Sequence, residues 1–157
     1  MTDFNLFDMQ DLIDYLIEVA KKQKIGLKVC NDWPADWNSV GHAELNLICY
    51  NPNFLPAYRR PIELAYEIGH VLAHHPNKNP VNTKSCDEGY EAEANKIAIK
   101  LILKYIQEND LQFETRQQLM DSFGIPESMV YSVDKVINSK NTFQYNLFNT
   151  VSIDGLF

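Results

Sequence analysis

The stretch from Pro61 to His75 gathers Glu63, Tyr66, Glu67, His70, His74 and His75, side chains that accept protons, bind metals or do both. With Tyr66 at zero and about 100° per residue, His70 falls near 40°, Glu63 near 60°, His74 near 80° and Glu67 near 100°. Leu64, Ile68, Val71 and Leu72 fall between about 140° and 240°. The spacing predicts an amphipathic helix with one apolar face and one face of carboxylates, imidazoles and a phenol. His75 lands near 180°, on the apolar side. The plain reading is a helix with a wet face, whose histidines at the C-terminal end suit the dipole there.

A sharper reading comes from Glu67-Ile68-Gly69-His70. In the helical pattern H-E-x-x-H, two imidazoles one turn apart reach a single Zn²⁺, and the Glu beside the first takes a proton from metal-bound water. The last four positions of that pattern are present here; the first is Tyr66.

A second helix is predicted from about Asp87 to Glu108. With Glu91 at zero, Glu93, Lys96, Lys100 and Lys104 fall between about 140° and 220°, a solvent face. Ala94, Ile97, Ala98 and Leu101 fall between about 240° and 340°, facing a core. Glu91 and Asn95 point away from the lysines. A carboxylate on that side needs a partner, either a metal or an ordinary salt bridge or hydrogen bond.

Other elements must position these two helices. Residues 5 to 24 read as an amphipathic helix through Leu12, Ile13, Leu16, Ile17 and Ala20, stopped near Gly26. Leu27 to Cys30 is a short strand, followed by a turn-rich connection holding Trp33 and Trp37, aromatics that cover the core edge or line a partner groove. His42 to Tyr50 partly alternates and reads as a strand that His42 opens. Helices are expected over Thr115 to Phe123 and from about Glu127 to Ile137, joined by Gly124-Ile125-Pro126. This order, helix, strands, then helices, is α+β. One domain is expected over 1–140, with 141–157 as a tail that adds a strand or docks by strand pairing.

Lys and Arg number 14 against 21 Asp and Glu, a net charge of −7. That balance opposes direct nucleic-acid contact and polybasic membrane binding, even though Phe123 to Glu127 has the shape of a helix-turn-helix corner. No apolar run is long enough to span a bilayer, and Met1 to Phe4 is no basic signal region. Cys30, Cys49 and Cys86, without paired spacing, read as reduced thiols, and a cytoplasmic location is expected.

Two segments together resemble the ImmA/IrrE family of metallopeptidase-like proteins: Leu64-Ala-Tyr-Glu-Ile-Gly-His-Val-Leu-Ala-His-His75, and Glu91-Ala-Glu-Ala-Asn-Lys-Ile-Ala98. The family pattern is L-A-H-E-x-G-H, a few residues, H, then E-x-x-A-N-x-x-A on the following helix. The resemblance implies a small zincin-like metallopeptidase domain of the phage or mobile-element type, which cleaves a helix-turn-helix repressor with Zn²⁺ as cofactor. It implies Glu67 as general base, His70 and Glu91 as metal ligands, and Asn95, one turn after Glu91, steadying a ligand. Lys104 stands where the family often has Pro.

Tyr66 departs from this pattern, because a phenol binds metal well only as phenolate. Three arrangements follow. Tyr66 ligates through oxygen; or His74 completes a His70–His74–Glu91 set; or zinc is absent and the scaffold binds a repressor without cutting it.

Overall fold

A computed structural model describes residues 6–76 and 84–139. The first helix, α1 (Leu6–Lys22), ends in Lys21 and Lys22, and its fully buried Leu12 and Leu16 anchor the core. Lys24, in a left-handed conformation (φ 59°), turns the chain into β1 (Gly26–Val29).

The predicted strand from His42 to Tyr50 is instead a hairpin. β2 (Val40–His42) and β3 (Leu47–Tyr50) pair antiparallel, with Val40 opposite Cys49 and His42 opposite Leu47. His42 therefore closes a strand rather than opening one. Asn46, left-handed at φ 48°, donates its N–H to the carbonyl of Ala43 and makes the turn. β1 pairs parallel with β3, giving the order β1-β3-β2, so β2 is an edge strand. Ile48 and Tyr50 turn into the core.

Asn51, fully buried, fixes the loop ahead of β2. Its side-chain amide donates to the carbonyls of Pro34 and Trp37, and its backbone N–H donates to Ser39 Oγ at 2.8 Å. Trp33 and Trp37 pack edge to face, and Trp37 stays exposed.

α2 (Arg60–Leu72) begins with Pro61 in its first turn, where the missing N–H costs nothing. α3 (Lys84–Glu108) follows and packs against α2. From Ile97 to Leu103 every α3 residue but Lys100 is buried, because α2 covers one side and the last helix (Val130–Asn138) another. Gly69 makes the α2–α3 approach possible: a Cβ there would lie 2.8 Å from the Ala94 carbonyl oxygen.

α4 (Arg116–Phe123) is capped by Thr115, which accepts from Gln118 N, and ends at left-handed Gly124. A 3-10 turn over Glu127–Met129 leads into α5 (Val130–Asn138). The architecture is α+β, a three-stranded sheet with helices packed on it, as expected. The proposed tail at 141–157 lies outside the described residues, as does the side chain of Cys86.

Candidate functional site

α2 stops at Leu72, three residues before the predicted end, and its ending builds much of the site. Ala73 caps the helix, His74 is left-handed (φ 56°), His74 N donates to Val71 O, and His75 N donates to His70 O at 3.0 Å. This is a Schellman ending, which commonly places glycine where His74 stands and brings the following residue back over the last turn. Here the returning residue is His75. Instead of the usual apolar contact, its ring meets the His70 ring, with centroids 5.0 Å apart.

His70 and His75 are joined Nδ1 to Nδ1 at 2.8 Å, and His75 Nε2 lies 3.0 Å from Glu93 Oε2 on α3. His75 is 4% exposed, while the Glu93 side chain is 55% exposed, so the pair runs from the core to solvent. The Tyr90 ring covers His75 at 4.6 Å. Helical spacing had put Glu93 on a plain solvent face and His75 on the apolar side. His75 is buried as that angle implied, but in a hydrogen-bonded chain with polar partners.

On the same face of α2 as His70, Glu63 and Glu67 lie one turn apart and reach the outward-facing amides of the edge strand and its approach. Ser39 N donates to Glu63 Oε1 at 2.7 Å and Gly41 N donates to Glu67 Oε2 at 2.8 Å. Alternate strand residues face the same way, so a helical i, i+4 pair matches a strand i, i+2 pair. Burial pushes the Glu63 carboxyl up to about 7, and the Ser39 N–H works against that rise. Its Oε2 is buried and has no hydrogen-bond partner.

Glu63, Glu67, His70 and His75 border a cleft of about 760 Å³. Tyr66, Glu67, His70, Glu91 and Asn95, all singled out from the sequence, line it together. The central expectation, that two consecutive helices turn their ionisable groups toward one space, describes this cleft. His74 is exposed and lies outside it. No local sequence pattern marks Ser39 or Gly41 as part of the site, and helical spacing places His75 on the apolar side. For Glu63 the spacing gives only a place on the wet face of α2.

Among the described residues, the donor set does not fit a zinc site. The Tyr66 ring packs edge-on against the His70 imidazole, with centroids 4.4 Å apart, where the motif calls for a second imidazole. Among the described residues, no three His, Cys, Asp or Glu side chains are grouped to hold a metal ion.

The family model described as the IrrE N-terminal-like domain, peptidase M78, matches residues 23–132, more than half of the chain. The chain belongs to the M78 peptidase family. No curated protein and no solved structure matches it. Its α+β architecture is that of a small zincin-like M78 domain, and the match takes in the residues that line the cleft. Among the described residues of this M78 chain, no helix is long and apolar enough to cross a membrane.

Proposed function

We propose that this M78 chain is a degenerate member that binds a helix-turn-helix transcriptional repressor in the α2–α3 cleft without cutting it. The observation that carries this reading is Tyr66 packed on His70 where a ligating imidazole would stand. Glu67, the base position of the motif, fits the same reading, since its carboxylate is engaged by Gly41 N. Kinship supports a repressor as the partner. The acidic balance of the chain disfavours DNA in that role. The cleft is within the usual size range for pockets that take side chains or small ligands.

The test compares the wild-type chain with Tyr66→His after zinc supplementation. Metal content is measured by mass spectrometry, and a helix-turn-helix repressor is scored for both capture and cleavage. The wild type is expected to retain no zinc above background and to bind the repressor intact. The Tyr66→His variant is expected to bind zinc at least about 10-fold more tightly, the scale of losing even an outer partner of a metal site. Stoichiometric zinc in the wild type, together with repressor cleavage, would overturn the proposal in favour of a zinc endopeptidase with Glu67 as base.

A further inference from the structure

We infer that His75 and Glu93 are positioning residues that hold His70 in one tautomer, with its proton on Nδ1 and its lone pair on Nε2. An ionised carboxylate only accepts hydrogen bonds, so the contact between His75 Nε2 and Glu93 Oε2, at 3.0 Å, makes His75 Nε2 the donor. A neutral imidazole with its proton on Nε2 carries its lone pair on Nδ1. The 2.8 Å contact between the two Nδ1 atoms needs one donor and one acceptor. His75 accepts, so His70 Nδ1–H donates. The reverse direction would need both His75 nitrogens to donate, a pattern that the ring spectrum below separates from this one.

The backbone leaves these rings little freedom. The bond from His75 N to His70 O at 3.0 Å ties the two residues together, and the rings of Tyr66 and Tyr90 pack against His70 and His75. Fixing the tautomer of one imidazole through the partner of its other nitrogen is how proteins set which ring nitrogen carries the lone pair. This makes His70 a neutral imidazole whose lone pair lies on a buried Nε2.

The test is a long-range ¹H–¹⁵N correlation spectrum of the histidine rings in the full, ligand-free chain, comparing wild type, His75→Phe and His75→Gln. Glutamine keeps an acceptor for His70 and a donor for Glu93; phenylalanine keeps the ring volume and neither. The wild type and His75→Gln are expected to show His70 with a protonated Nδ1 and a bare Nε2. His75→Phe is expected to shift His70 to a mixture of tautomers. A His70 protonated at Nε2 in the wild type, or an unchanged pattern in His75→Phe, would overturn the assignment. If His75→Phe does not fold, the wild type and His75→Gln still decide it. No repressor is present in this experiment, so its failure leaves the binding proposal standing, and loss of repressor binding leaves the tautomer assignment standing.

Discussion

Glu67 Oε2 accepts a hydrogen bond from Gly41 N at 2.8 Å, tying the motif carboxylate to the sheet edge. The approach depends on position 41 having no side chain. A Cβ there would lie 2.9 Å from both the Glu67 carbonyl oxygen and Val71 Cγ2, and 3.1 Å from Glu67 Oε2. The helix backbone cannot yield, so β2 must move. Gly41→Ala is expected to destabilise the fold by about 1–3 kcal/mol, the scale of overpacking. Denaturant unfolding reads the loss, and a variant within a few tenths of the wild type would mean that the strand is not held against α2.

Glu63 makes the matching bond to Ser39 N, and its raised carboxyl gives stability a definite pH dependence. With the folded value near 7 and the ordinary value 4.5, the folded chain holds more protons than the unfolded chain between those limits. Stability from this group is therefore fully present below about 4.5 and is lost as pH rises through about 7. Glu63→Gln, uncharged throughout, is expected to flatten that fall while keeping an oxygen for Ser39 N. Unfolding free energies measured across this pH range check it; a slope unchanged by the substitution would assign the dependence elsewhere.

Two glycines at helical positions make opposite expectations. At Gly69 a Cβ would meet Ala94 O at 2.8 Å and Ala94 Cα at 3.2 Å, whereas at Gly89 it would meet nothing within 4 Å. Gly89→Ala is expected to stabilise α3 by up to about 1 kcal/mol through helix propensity. Gly69→Ala gains the same propensity but separates the helices that carry His70 and Glu91. A net loss of about 1 kcal/mol or more is expected, since overpacking outweighs propensity. Thermal melts of the two variants side by side would show equal shifts only if the α2–α3 contact were loose.

The parts of this site legible in the sequence were those governed by a single period. Tyr66, Glu67 and His70 share a face because they sit on one helix at 100° steps, and Glu91 with Asn95 follow the same rule on the next. Residues whose position depends on leaving a helix were not legible. His74 and His75 were projected along an axis that the chain abandons after Leu72. The β2–β3 hairpin was hidden for a similar reason: Ala43-Glu44-Leu45-Asn46 contains no Gly or Pro, and Asn46 alone supplies the positive φ. The Glu63 and Glu67 contacts join a helix to a strand some 24 and 26 residues earlier in sequence, which no local pattern encodes. The link from His75 to Glu93 spans 18 residues and two elements.

His74 separates backbone from chemistry at the end of α2. It takes the left-handed position of the Schellman ending, φ 56°, with its side chain exposed and outside the cleft. A non-glycine residue there carries a conformational penalty of about 1 kcal/mol. Glycine removes it but adds freedom to the unfolded chain, which offsets part of the gain. His74→Gly is therefore expected to raise stability by about 0.5 kcal/mol, read as a higher denaturant midpoint. Because the turn is preserved, His75 should still fold back onto His70, and the His70 ring spectrum and repressor affinity should match the wild type. A tenfold loss of repressor affinity in a variant that folds at least as well would place the His74 imidazole inside the binding site.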